Sequence, residues 1–217
     1  MLSQYLPADR PYAFAFIVLY SLLMIIRVIF RLSHHDLGRR LINRDEGIGN
    51  IIARWALGSL LIAAIALYFA APEETPWFYL PVPTMIRVLA VGVSAASIGL
   101  LVWAHVALNS QFSSTLRVGA GHRLVTHGPY RLIQHPIYAA FFLLFLATGL
   151  FTRSWPIGLL GMLTIGTLMT TRRVREEAML RARYGENYDR YQARTGRFVP
   201  RFSRGALPTA AQSGDQQ

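Results

Sequence analysis

Long apolar stretches separated by arginine-rich segments dominate the first half of the chain. Three of them have at least 20 residues and only one or two charged or histidine interruptions: 11–30, 51–71 and 84–108. Stretches of this length are typical of membrane-spanning helices, which need about 20 apolar residues. The first stretch lacks a basic leader and a small-residue cleavage site, which favours a retained helix over a signal peptide. The pattern therefore predicts an all-α integral membrane protein.

Two shorter apolar stretches follow in the second half. Residues 136–150 carry no charge, and residues 155–171 resume the apolar pattern after the short segment FTRS. Each is short for an independent span, so the brief connection predicts a tight helical hairpin. About five transmembrane helices result, followed by polar, amphipathic cytosolic helices.

The distribution of charge predicts how the chain lies in the membrane. All 22 basic residues are arginine, and the net charge is +11. Ten arginines follow residue 171, whereas residues 72–83 carry none. The positive-inside rule then places the N-terminus outside and the C-terminus in the cytoplasm. The arginine usage suggests a GC-rich bacterial genome and hence the inner membrane. Because the basic residues are juxtamembrane, they indicate the lipid bilayer as partner and no nucleic acid.

Cysteine is absent from the chain, which excludes disulfides, thiolate nucleophiles and cysteine-bound metal. His34, His35 and Asp36 are better explained as an interfacial loop than as ligands, since neighbouring histidines point apart on a helix. No metal site is predicted.

Three regions are expected along the chain: an N-terminal three-helix scaffold (1–108), a core of loop, hairpin and polar helices (109–204) and a disordered tail (205–217). Small residues recur on the second and third apolar stretches, where they favour close helix packing: Ala63, Ala64, Ala66, Gly92, Ser94, Ala95, Ala96, Ser97 and Gly99.

The segment GPYRLIQHPIY (128–138) marks the point where polar sequence meets the membrane. Pro136 suits the first position of a helix, so His135 is expected at its N-cap. A helix start also favours an anion nearby. The simpler interpretation is that His135 only caps the helix and that Tyr130 and Tyr138 only anchor at the lipid interface.

A second polar cluster follows the last apolar stretch. Arg173, Glu176, Leu180 and Tyr184 share one helix face by their spacing, and Gly185 is expected to end that helix in a left-handed cap. Surface ion pairs would explain these charges. However, two adjacent carboxylates at the end of a span are costly unless they bind something cationic or rich in hydroxyls.

Two segments together, HRLVTHGPYRLIQHPIY and RVREEAMLRARYGENYDRYQARTGRFVP, resemble the isoprenylcysteine carboxyl methyltransferase family and, more weakly, the phospholipid N-methyltransferases. The resemblance runs from His122 to about Pro200. Gln134 stands where that family has arginine before His-Pro, and Tyr184 where it has phenylalanine. The first difference removes a charge from the implied cofactor pocket.

The resemblance implies a methyltransferase that uses S-adenosylmethionine without a Rossmann domain and acts on a lipophilic substrate, most simply at a carboxylate. The implied catalytic residues are Arg173, His135 and Tyr138. The implied cofactor-binding residues are His122, Leu124, Val125, Gly128, Tyr130, Arg131, His135, Pro136, Glu176, Glu177 and Tyr188. Arg173 would position the carboxylate, whereas an amine or hydroxyl acceptor would need His135 to take a proton.

Two alternatives stay open on the sequence alone. Sterol reductases that use NADPH resemble the C-terminal part of this chain, and its many arginines could bind a 2′-phosphate. The second alternative is a lipid-binding accessory subunit that kept the fold without enzymatic activity. Nothing in the sequence predicts the oligomeric state.

Overall fold

A computed structural model describes residues 9–33, 48–108 and 124–201. Within these ranges the chain forms six α-helices: α1 (Arg10–Ser33), α2 (Ile48–Ala70), α3 (Thr84–Leu108), α4 (Pro136–Phe151), α5 (Trp155–Tyr184) and α6 (Glu186–Arg194). Strand-like pairing in the described ranges is limited to two isolated bridges, Tyr79 with Ser154 and Ile133 with Gly196. The predicted all-α fold is confirmed.

Three helices are long and apolar enough to cross a membrane, as the hydropathy pattern predicts: Arg10–Phe30, Ile48–Ala70 and Thr84–Leu108. α4 is apolar but has only 16 residues. α5 extends for 30 residues, from its apolar first half into the charged second half without a break. The number of five crossings therefore stays a prediction.

The hairpin of α4 and α5 is held together by glycines. A Cβ atom placed on Gly149 would lie 2.8 Å from the Cα of Gly158, and one on Gly161 would clash with the ring of Phe145. Phe145 precedes Gly149 on α4, whereas their partners occur in the reverse order on α5, Gly158 before Gly161. The two helices are therefore antiparallel. Backbones approach this closely only where side chains are missing.

Some of the small residues of α2 and α3 are buried, whereas others are exposed. Ala64, Ser94 and Ser97 are buried, as expected for helix packing. Gly92 and Gly99 face away from the other described helices, with no described atom within 4 Å of a Cβ built on them. The expectation that these two glycines support close packing is thus wrong, because the closest approach occurs between α4 and α5.

Gly185 ends α5, and its φ of 50° explains why glycine occupies the position. Its ψ of −128° differs from the left-handed cap that the sequence suggested. The chain instead turns sharply and starts α6 at the next residue. α6 therefore lies beside the charged end of α5.

One end of the helix bundle is closed by a cluster of charges. Arg87 is buried, donates from Nε to the carbonyl of Phe151 at 3.0 Å and pairs with Asp9 at 2.6 Å. Arg153 lies 3.8 Å from the same carboxylate and exchanges backbone and side-chain hydrogen bonds with Leu80. The N-terminus of α1, the loop before α3 and the hairpin turn therefore share one end of the molecule. The polar segments described next lie at the other end.

Candidate active site

The loop that leads into α4 is docked on the last turns of α3. Gly128 has a φ of 60°, and a Cβ at this position would lie 2.9 Å from that of Ala107. Tyr130 is buried against Ala104 and Ala107. Only glycine combines this conformation with such close contact. Gly128 thus sets the course of the backbone toward His135.

Residues 195–201, here called the strap, run alongside the segment before α4. The amides of Gln134 and His135 donate to the carbonyls of Gly196 and Arg197 at 2.8 and 3.1 Å. The amide of Gly196 donates back to Leu132 at 3.3 Å. The strap also brings the ring of Phe198 to 5.6 Å from that of His135. The C-terminal part of the described chain thereby covers the start of α4.

His135 is the N-cap residue of α4, as predicted, but its side chain makes no capping hydrogen bond. Its Nε2 atom lies 3.2 Å from Oε1 of Glu177 on α5. Nearby, the hydroxyl of Tyr138 donates to Oε1 of Glu176 at 3.4 Å. The two motifs that the sequence singled out, 42 residues apart at His135 and Glu177, therefore meet in one place.

Glu177 also accepts a hydrogen bond from a second residue. Nη1 of Arg173, one turn earlier on α5, donates to the same Oε1 atom at 3.1 Å. The side chain of Glu177 is 12% exposed and that of Arg173 is 24% exposed. The carboxylate is thus shielded and bound from two sides, which differs from an ion pair in open solvent.

The protonation states follow from burial and these contacts. Burial lowers the pKa of His135 below its ordinary value, although Glu177 opposes that shift. Burial alone would raise the pKa of Glu177, but the hydrogen bond from His135 and the charge of Arg173 outweigh it and lower that pKa. Burial raises the pKa of Glu176, opposed by Arg172 and Tyr138. At neutral pH a neutral imidazole therefore donates its Nε2–H to an ionised Glu177.

Two tyrosines of α6, Tyr188 and Tyr191, lie beside this cluster. Tyr188 is 1% exposed, accepts a hydrogen bond from Gln192 at 3.2 Å, and has its pKa raised to about 12 by burial. The hydroxyl of Tyr191 donates to the carbonyl of Tyr130 at 2.8 Å. This bond joins α6 to the loop on α3.

The other residues implied by the resemblance lie around this cluster or outside it. Pro136 is buried at the first turn of α4, and Leu124 and Val125 are half-buried, Val125 packing near Tyr130. Arg131 is exposed and makes no contact in the cluster of described side chains. His122 lies outside the described residues.

Sequence reasoning missed the role of Gln134. Its Nε2 donates to the carbonyls of Thr195 and Gln192 at 2.9 and 3.3 Å, so the side chain ties the end of α6 and the strap to the start of α4. The only sequence signal was an amide where the resembling family has arginine. Beside it opens a cleft of about 440 Å³, lined by Gln134, Gln192, Thr195, Gly196, Arg197, Val199, Pro200 and Arg201.

Parts of this chain are similar to known proteins, methyltransferases among them. The family model for phospholipid methyltransferases matches residues 85–187. The protein-S-isoprenylcysteine O-methyltransferase of Schizosaccharomyces pombe is 32% identical over 79 residues, which are 36% of this chain and 34% of that protein. A nickel-cobalt-cadmium resistance protein of Alcaligenes xylosoxydans xylosoxydans is 32% identical over 120 residues, which are 55% of this chain and 51% of that protein. The matched parts thus span about a third and a half of these two relatives.

A solved structure shares the overall architecture. It is the eukaryotic intramembrane Ras methyltransferase, an isoprenylcysteine carboxyl methyltransferase, with a TM-score of 0.59 and 19% identity over 91% of this chain and 69% of that one. At this identity the likeness concerns the fold. Residues 85–187 are thus similar to the phospholipid methyltransferase family, and the fold is similar to that of isoprenylcysteine carboxyl methyltransferase.

Proposed function

We propose that this protein is an S-adenosylmethionine-dependent membrane methyltransferase that O-methylates a carboxylate of a lipophilic, isoprenoid or lipid-like substrate. One observation carries the proposal. His135 and Tyr138, at the start of an apolar helix, contact Glu177 and Glu176 where α5 leaves its apolar half. A polar, partly shielded cluster at this boundary can be reached by a soluble cofactor from one side and by a membrane-bound substrate from the other.

The residues present suit the cofactor. When bound, S-adenosylmethionine supplies a methyl group on a sulfonium, which passes to a carboxylate oxygen while the C–S electron pair stays on sulfur. An ionised Glu177 and the neighbouring Glu176 suit the ammonium group and the ribose hydroxyls of such a ligand. The first turn of α4 has no side-chain cap. Its free N–H groups suit a carboxylate.

Arg173 is the candidate for orienting the acceptor. A guanidinium has five N–H donors, and Nη1 is the one that binds Glu177. The remaining donors can hold a substrate carboxylate in line with the methyl group. An ionised carboxylate needs no general base, so alignment is the main contribution of the protein.

The contact between His135 and Glu177 also favours a second class of acceptor. A neutral imidazole that donates Nε2–H to a carboxylate keeps Nδ1 as a proton acceptor, and the carboxylate steadies the imidazolium that forms. Such a pair suits an amine or hydroxyl acceptor, which must lose a proton during methyl transfer.

Cofactor binding tests the proposal directly. Purified protein in detergent is incubated with radiolabelled S-adenosylmethionine or NADPH, and we expect saturable binding of the first alone. Binding of NADPH alone would replace the proposal with a reductase, and binding of neither would favour a lipid-binding accessory subunit. Transfer of labelled methyl to a prenylated carboxylic acid, with the matching methyl ester as control substrate, then tests the acceptor.

A further inference from the structure

We propose that the cleft between Gln134 and the strap binds the headgroup of an anionic phospholipid whose headgroup carries an O–H or N–H donor. The resemblance implies that position 134 faces the cofactor pocket, but the side chain of Gln134 bonds instead to the carbonyls of Thr195 and Gln192. The proposal does not rest on the proposed methyl transfer. None of the residues implied in catalysis or cofactor binding lines the cleft.

Gln134 provides the first argument, because half of its amide lacks a partner. The residue is 8% exposed, and its NH₂ group donates to two carbonyls of the cleft wall. The opposite amide orientation would set Oε1 against those carbonyls, so the hydrogen bonds determine which atom is which. Oε1 is buried with no hydrogen-bond partner. A buried acceptor left in this way is costly, and a ligand donor would relieve the cost.

The rim of the cleft provides the second argument. Arg197 and Arg201 both line it, and no carboxylate is among the described residues that do. Arg201 also donates from Nη1 to the carbonyl of Ala193 at 3.2 Å, which directs its side chain along the strap. Two guanidinium groups beside a buried acceptor suit a phosphate ester that bears its own donor.

The apolar tip of the strap favours a membrane lipid over a soluble phosphate ester. Val199 is 72% exposed, and it lies between the two arginines in sequence together with Pro200. An exposed apolar residue flanked by arginines is typical of a segment that enters the acyl boundary while its cations stay at phosphate level.

The side chains of Gln134 and His135 point to different helices. The side chain of Gln134 bonds to the end of α6, whereas that of the next residue, His135, bonds to Glu177 on α5. The two side chains therefore serve different surfaces. On the strap, the ring of Phe198 lies near His135, and Arg197 and Val199 line the cleft, while the charge of Arg197 also acts on His135.

Two lipids that differ only in the donor test the idea. Delipidated full-length protein in detergent is titrated with short-chain phosphatidylglycerol and with phosphatidylmethanol, and bound lipid is counted by native mass spectrometry. Both lipids carry one negative charge, but only phosphatidylglycerol has headgroup hydroxyls. We expect it to bind about tenfold more tightly, because it alone satisfies the buried oxygen. Equal affinity would overturn the proposal.

Variants then assign the effect to the cleft. Gln134→Arg keeps donors for the two carbonyls but has no acceptor, so the preference for phosphatidylglycerol should disappear. Arg197→Gln should weaken both lipids several-fold without changing their ratio, whereas Arg190→Ala, exposed on α6, should change neither. If Gln134→Arg fails to fold, the comparison of the two lipids on the unaltered protein still decides.

Two further ligands identify the source of the headgroup. Free glycerol 3-phosphate should bind far more weakly than the lipid, and comparable binding would overturn the membrane source. Saturating S-adenosylmethionine should leave lipid binding unchanged. Displacement of the lipid would make the cleft part of the cofactor site and overturn the proposal, independently of whether methyl transfer occurs.

Discussion

At the scale of single residues, the two adjacent glutamates of α5 have opposite electrostatic settings. Glu177 binds His135 and Arg173 and has a lowered pKa, whereas Glu176 has a raised pKa and binds Tyr138. Neighbours on a helix point about 100° apart, so each faces a different side of the site. The pair therefore presents one firmly ionised carboxylate and one that gains a proton more easily.

Replacement of each glutamate by glutamine should weaken binding of S-adenosylmethionine. We expect at least a tenfold loss for Glu177→Gln and for Glu176→Gln, because hydrogen bonds to charged groups contribute about 1.5–3 kcal/mol. Isothermal titration measures the loss. Glu186→Gln, at the exposed start of α6, is the control. Unchanged affinity in both variants would mean that Glu176 and Glu177 form structural ion pairs only and do not bind the cofactor.

Replacement of Arg173 separates catalysis from cofactor binding. If the acceptor is a carboxylate, Arg173→Ala should reduce turnover sharply and retain much of the cofactor affinity, since the guanidinium is the more exposed partner of Glu177. Single-turnover rates beside titration measure the two effects. Parallel loss of both would mean that Arg173 acts only by holding Glu177.

The pH dependence distinguishes the two acceptor classes. The pKa of Glu177 is lowered, so this carboxylate keeps its charge between pH 6 and pH 8, and the lowered pKa of His135 moves its change of charge to the acid side of its ordinary value. A carboxylate acceptor should give a flat rate over this range. An amine or hydroxyl acceptor should instead give a rise as His135 loses its proton, on the acid side of its ordinary value of about 6.5. Such a rise, absent in His135→Ala, would contradict the carboxylate assignment.

The same lowered pKa values have a thermodynamic consequence. For both groups the folded protein holds fewer protons than the unfolded chain, so their contribution to stability is present above the unfolded pKa and is lost as the pH falls. For His135 the loss begins near pH 6.5. Glu176, with its raised pKa, acts in the opposite direction. Thermal unfolding across pH 5–8 is therefore a control for the rate measurements.

At the scale of helices, α5 joins the apolar hairpin to the candidate active site as one continuous element. Its first half packs on α4 through glycines, and its second half carries Arg173, Glu176 and Glu177. No break separates the two halves. A shift of α5 along α4 therefore moves Glu176 and Glu177 relative to His135.

A methyl group added at the closest point of the hairpin should disturb both stability and the site. Gly149→Ala places Cβ 2.8 Å from the backbone of Gly158, and overpacking of this kind costs about 1–3 kcal/mol. Gly166→Ala, with no described atom within 4 Å of the new Cβ, is the matched control. Melting in detergent, followed by size-exclusion chromatography, should show a lower Tm for the first variant. Equal Tm values would mean that the helices separate freely.

The extent of sequence prediction also differs by element. The resemblance assigned His135 and Glu177 to one cofactor pocket, and both stand where polar sequence borders an apolar stretch, but their direct contact was not predicted. The pairing of Gln134 with the strap was not predictable, since backbone bonding between distant irregular segments leaves no periodicity. The hairpin glycines were equally hidden: glycines occur on α3 as well as on α4 and α5, but Gly92 and Gly99 face outward whereas Gly149 and Gly158 meet.

At the scale of the whole molecule, the charged cluster around Arg87 and the candidate active site occupy opposite ends of the bundle. The grouping of loops at these two ends agrees with the predicted topology.

Reporter fusions test the orientation. The segments assigned inside carry 17 arginines, and those assigned outside carry two. A reporter fused after Ala206 should be active only as a cytoplasmic type, and one inserted within residues 72–83 only as an external type. The opposite pattern would put the glutamates on the outer face, away from a cytosolic cofactor.

The shortness of α4 has a consequence for the kind of bilayer that suits this protein. Its 16 residues are about 24 Å long, less than the roughly 30 Å of a typical hydrocarbon layer. Its far end is bound to Arg87 through Phe151, and its near end begins after His135. In a thick membrane that end sinks below the headgroups or the lipid thins around it, and in a thin one it comes level with water. If α4 crosses the bilayer as the sequence predicts, acyl chain length should therefore set the depth at which His135 and the facing glutamates lie, with no change in the protein itself.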